Sequence, residues 1–244
     1  FRAGVNAGNS ITSGGNYNVT VGDEAGTAIT TGDNNTAFGY TALATVSTAG
    51  DNTAVGQAAL RDNTSGESNT AVGKSALITN TVANRNVAVG RNSLESVNQA
   101  SALNTYNVAM GYDSGAAVTT GFENTLIGGF AGGALTDADY NLAVGYQALA
   151  NDTLGSRSTA IGRSALQNQN FTGATNTYNT AVGFNAGLSM TTGINNTIVG
   201  GLAGDTLTEG DRNVAIGVQA LTADTKGNNN IAIGDAALRT QNFT

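Results

Sequence analysis

Residues 52–56 read Asn52-Thr53-Ala54-Val55-Gly56, and this five-residue phrase or a close variant occurs thirteen times in the chain. Its final glycine falls at Gly22, Gly39, Gly56, Gly73, Gly90, Gly111, Gly128, Gly145, Gly162, Gly183, Gly200, Gly217 and Gly234. Ten of the twelve intervals are 17 residues; Gly90 to Gly111 and Gly162 to Gly183 are 21. A fixed short period means one structural unit stacked on itself. The period predicts an all-β fold, a parallel β-solenoid (β-roll or β-helix) of about thirteen coils. Residues 1–244 would form one continuous repeat domain with a shared core. At about 4.8 Å per coil the expectation is a rod of roughly 60 Å.

Counting each coil from its leading residue puts the recurrent glycine at position 5. Position 1 is Asn in twelve coils and Ser158 in the other, and position 4 is always apolar. Position 2 is Thr, Val, Leu or Ile. These types favour a strand, which sets positions 2 and 4 on one side and position 3 on the other. Position 3 is Ala except at Thr20, Leu126 and Ile198, so neither side is polar. The small Ala side is what close approach by another chain requires, and it is read as an oligomer interface; the alternative is that Ala simply suits a flat, shallow coil. Position 5 calls for a positive φ or for close backbone approach at a corner, which makes the thirteen glycines structural residues. The Asn column is either a ladder along the axis or a set of ordinary turn residues.

Position 9 is Leu in eight coils and Gly in five, at Gly26, Gly115, Gly132, Gly187 and Gly204. In those five, position 12 is apolar: Ile29, Val118, Leu135, Met190 and Leu207. The pattern predicts one large core anchor per coil, supplied from either place, as a fixed core volume demands. The 21-residue coils mark a longer period, because residues 86–157 align with residues 158–229 at an offset of 72. Asn104-Thr105-Tyr106-Asn107 thus answers Asn176-Thr177-Tyr178-Asn179. Gln241-Asn242-Phe243-Thr244 repeats Gln169-Asn170-Phe171-Thr172. No polar capping segment stands at either end, so both ends are expected to be covered by more protein, either a longer fibre or stacked copies.

Composition narrows the function. The net charge is −7 and the ten Lys and Arg are scattered, which argues against nucleic acid or an anionic membrane as partner. No apolar run is long enough for membrane insertion as a helix. With no histidine and no cysteine, the common catalytic triads and zinc sites are excluded. The chain is read as no enzyme, with no cofactor and no metal. The acidic pairs Asp137/Asp139 and Glu209/Asp211 are read as solvated turns rather than calcium sites. The threonines of position 2 are interrupted too often for an ice-binding array. The four-residue insertions of the long coils carry Phe171 and Tyr178, with Tyr106 and Phe243 at matching places. These four aromatics are the candidate surface contacts for a glycan or a protein; the alternative is a packed loop covering a seam.

Phrases such as residues 52–60 and 141–149 resemble the repeats of bacteriophage tail fibres. With Ala215-Ile216-Gly217 and Ala232-Ile233-Gly234 they also resemble the head repeats of trimeric autotransporter adhesins. The resemblance covers essentially the whole chain. It implies a homotrimeric fibre, extracellular on a cell surface or on a virion, that binds host or cell-surface glycan or protein. The expected function is a structural shaft that spaces or presents surface-binding elements. The alternatives are a subunit of an end-to-end extracellular filament and a glycan-binding module that uses the long-coil loops.

Overall fold

The computed structural model of the chain describes residues 2–241. It is an all-β parallel solenoid of about fourteen turns, with no helix among the described residues. Contacts divide the chain into two compact units, Phe1–Glu123 and Asn124–Thr244. In the first unit the strands are β1 (Arg2–Ala3), β2 (Val19–Val21), β3 (Thr36–Phe38), β4 (Thr53–Val55), β5 (Thr70–Val72), β6 (Val87–Val89) and β7 (Val108–Met110), stacked in chain order. In the second, β8 (Thr125–Ile127), β9 (Leu142–Val144), β11 (Thr159–Ile161), β13 (Thr180–Val182), β14 (Thr197–Val199), β15 (Val214–Ile216) and β16 (Ile231–Ile233) stack likewise. There β10 (Gly155–Ser156) and β12 (Thr175–Asn176) form a separate parallel pair. Within each unit like positions lie side by side: Ala37 beside Ala54, and Ala54 beside Ala71.

One turn lies outside the recurrent phrase. Arg2 pairs with Thr20 and Ala3 with Val21, which places Gly4, at a φ of +133°, in the corner row. Arg2 stands at position 3, where ten of the thirteen coils have Ala, so the phrase is unrecognisable there.

The strand faces the opposite way from the sequence expectation. Position 3 points inward, and every member from Thr20 to Ala232 is buried. Positions 2 and 4 point outward and are partly or fully exposed. The Ala side is therefore the core of the coil and not a surface that another chain could reach. The leading Asn is buried as well, and strand alternation returns position 3 to the same side.

With position 3 inside, its exceptions become intelligible. Thr20, Leu126 and Ile198 all occur in coils with glycine at position 9, at Gly26, Gly132 and Gly204. A methyl group added at Gly132 would lie 2.6 Å from a Leu126 methyl and 2.9 Å from one of Leu135. Three positions thus share one core volume. Position 9 is left-handed throughout, with Leu60 at a φ of +49° and Gly132 at +56°. A left-handed leucine costs about 1–2 kcal/mol, while burying it returns about 1.5–3 kcal/mol. The two nearly balance, so a relaxed glycine with the anchor at position 12 or 3 is equally workable. Leu60, Leu135 and Leu126 are all fully buried.

The asparagine column is a buried ladder from Asn35 to Asn213. Asn196 Nδ2 donates to the Gly210 carbonyl of its own coil at 2.8 Å. Its Oδ1 accepts the backbone N–H of Asn213 in the next coil at 2.9 Å. The same two bonds recur at Asn35, Asn52 and Asn69. Each side chain closes one coil and joins it to another, which satisfies backbone groups that would otherwise be buried unpaired. Ser158 is too short to do both. Gln169 Nε2 reaches in to donate to Ser158 Oγ at 2.8 Å and to Asp152 Oδ2 at 2.6 Å.

The corner glycines lie between +119° and +144° in φ. A Cβ at Gly56 would lie 2.5 Å from the Gly73 carbonyl oxygen, and one at Gly145 the same distance from that of Gly162. Backbone conformation and the neighbouring coil exclude a side chain together.

A candidate interaction surface

Outward positions alternate with inward ones through each strand. The last residue of a coil points out, the Asn in, position 2 out, position 3 in and position 4 out; position 6 points out beyond the corner. The result on each unit is a strand face with two flanking columns. No residue at positions 2 or 4 is charged in any of the thirteen coils. Phe38 and Met110 of the first unit are 54% and 46% exposed, and Ile216 and Ile233 are exposed on the second.

In the middle coils the flanks carry arginines beside aromatic rings on adjacent coils. In the first unit the Arg85 guanidinium lies 5.6 Å from the Tyr106 ring centre, and its Nη1 donates to Tyr106 Oη at 2.6 Å. Across the strands, Arg91 stands 5.6 Å from the Tyr112 ring. In the second unit Arg157 lies 4.7 Å from the Tyr140 ring and donates to Asn176 Oδ1. Arg163 sits between Tyr146 at 5.8 Å and Phe184 at 5.6 Å. Phe130 meets the Tyr146 ring edge-on at 5.9 Å. Each exposed cation–ring contact is worth about 0.5–1 kcal/mol. Arg85, Arg91, Tyr106 and Tyr112 match Arg157, Arg163, Tyr178 and Phe184 at the 72-residue offset. That recurrence was available in the sequence but had no meaning before position 6 and the coil's last residue were known to flank one face.

The four aromatics singled out from the sequence part company. Tyr106 and Tyr178 are exposed, each as the left-handed last residue of its coil. Phe171 is only 7% exposed, which removes it from the surface contacts; its backbone N–H donates to Asp152 Oδ1. Phe243 lies outside the described residues. The insertions do protrude, at residues 100–104 and 172–174. Each returns by pairing with the coil before it, through β10 and β12 in the second unit and through an isolated Asn84–Asn104 bridge in the first.

The acidic pairs are occupied locally. Asp211 Oδ1 accepts the Ile194 N–H at 2.8 Å, and Glu209 faces Lys226 at 3.4 Å. Among the described residues no three His, Cys, Asp or Glu side chains converge in a way that could hold a metal ion. Among the described residues no helix is long and apolar enough to cross a membrane. Thr20 Oγ1, Asn185 Oδ1 and Asp205 Oδ1 are buried without a partner. Burial pushes the Asp205 carboxyl above the ordinary value of 3.8, opposed by its own N–H and that of Thr206.

Compared with family models, curated proteins and solved structures, the chain has no match in any of the three.

Proposed function

We propose that the chain is a structural, non-catalytic segment of an extracellular, cell-surface or virion fibre, a shaft that spaces or presents surface-binding elements. The buried asparagine ladder carries this reading. Asn35, Asn52, Asn69 and Asn196 each satisfy one backbone group of their own coil and one of the next, so such a coil is complete only when stacked. A solenoid joined in this way resists bending and lengthens by simple repetition, which is what a spacer needs. The flanking rings and the uncharged strand face offer contact surfaces. The glycan-binding alternative keeps Tyr106 and Tyr178 but loses Phe171.

Negative-stain electron microscopy of the purified 244-residue chain tests the shaft. Rods of one length, roughly 60 Å at about 4.8 Å per coil, are expected. Compact round particles would refute it, and rods of indefinite length would favour the end-to-end filament subunit.

A further inference from the structure

We infer that the outward strand face, positions 2 and 4 of the coils, is an interface between copies of this chain. The inference rests on the fibre reading and moves the contact from the buried Ala column to the opposite side of the strand.

Parallel sheets are found almost exclusively with both faces covered, and their strands then read as continuous apolar runs. The triplets Thr-Ala-Val, Val-Ala-Met and Ile-Ala-Ile of this chain are such runs. One side of each is covered by the coil's own core, and the other is partly or fully exposed. Phe38 and Met110 on this side and Tyr146 and Arg163 on its flanks are types enriched in protein interfaces; the charged residues, among them Asp23, Lys74 and Glu123, are confined to the flanks, and none stands at positions 2 or 4. Seven strands at about 4.8 Å spacing, each about 20 Å wide from the coil's last residue to position 6, give roughly 700 Å² on one unit. A stable interface takes about 800 Å² per partner, so the face of one unit nearly suffices.

Periodicity selects the occupant. The face repeats its relief once per coil, and a partner surface can match it along its length only by having the same repeat. A second copy has that repeat by construction, including the 72-residue recurrence of the Arg and aromatic flanks. The absence of charge at positions 2 and 4 gives an oppositely charged partner nothing to recognise there.

Sedimentation equilibrium of the 244-residue chain between about 1 and 100 µM, the range in which a micromolar complex forms, should show a dimer or larger closed assembly. The double variant Val144→Lys/Val182→Lys should sediment as a monomer with an unchanged circular dichroism spectrum, and Asn168→Lys, on a different side of the coil, should remain assembled. Should the lysine variant misfold, the cysteine-free chain allows a milder probe. Maleimide labelling of Met110→Cys, a position 46% exposed within one chain, should be at least about tenfold slower at about 100 µM than in the monomer at high dilution, while Asn168→Cys should label at the same rate in both. A monomeric wild type, a lysine variant that stays assembled, or equal labelling rates of Met110→Cys at the two concentrations overturn the inference. A monomer that still forms rods in the microscope leaves the shaft reading standing, so the two can fail separately.

Discussion

The α-carbon of Gly56 faces the Gly73 carbonyl so closely that a side chain's first atom would lie 2.5 Å from that oxygen. Gly56 also sits at a φ of +133°, a region that other residues rarely enter. Gly56→Ala therefore meets two penalties, backbone strain of about 1–3 kcal/mol and overpacking of about 1–3 kcal/mol. Urea denaturation should show a loss of about 4 kcal/mol. Gly201→Ala is the control: nothing lies within 4 Å of its Cβ position. That variant should stay within about 0.5 kcal/mol of the wild type.

Asn196→Ala leaves the Gly210 carbonyl and the Asn213 N–H without their partners in a buried place. Each orphaned group costs about 1–3 kcal/mol, so a loss of about 3 kcal/mol is expected in the same denaturation measurement. Hydrogen exchange at the Asn213 amide should accelerate beyond what the global loss explains. A change below about 1 kcal/mol would mean that water replaces the side chain at no cost.

The shared anchor volume predicts a loss of stability both when it is emptied and when it is overfilled. Leu126→Ala empties the volume in a coil whose position 9 is Gly132, at a cost of about 2–5 kcal/mol. Ala71→Leu overfills it in a coil that already holds Leu77, at a cost of about 1–3 kcal/mol. Adding Leu77→Gly to Ala71→Leu should restore part of the loss, since the pair then reproduces the Leu126/Gly132 arrangement. Additive losses in the double-mutant cycle would show that the two sites do not share a cavity.

Asp205 makes stability depend on pH. Its folded-state carboxyl is held above 3.8 by burial. A raised acid contributes stability fully present below its unfolded value and lost as pH rises through the folded one. Asp205→Asn removes that loss. The variant should have a higher urea midpoint than the wild type near neutral pH, with the gap closing toward about pH 3.5. A gap that does not change with pH would trace the effect to packing instead.

The period of 17, the parallel stacking and the trade between positions 9 and 12 were legible in the sequence, because each leaves a column of like residues. The turn at Arg2–Ala3 was not, since its residues depart from the phrase while its backbone keeps the same course. The surface was legible only in part. Tyr106 and Tyr178 stand outside as the insertions suggested, but Phe171 folds under its loop. One exposed residue and one buried residue of the same type look alike in a row of letters.

By itself the sequence determined that the chain is a stack, where each coil turns, and that its strands are apolar on both sides. Which side is inside was a tertiary matter. Alternation fixes only that positions 2 and 4 oppose position 3. The choice falls to the coil's interior, which is narrow beside a left-handed Leu60 and wider beside Gly132. A small residue fits there and a row of Phe38, Val55 and Met110 does not, so the larger side chains are left on the outside.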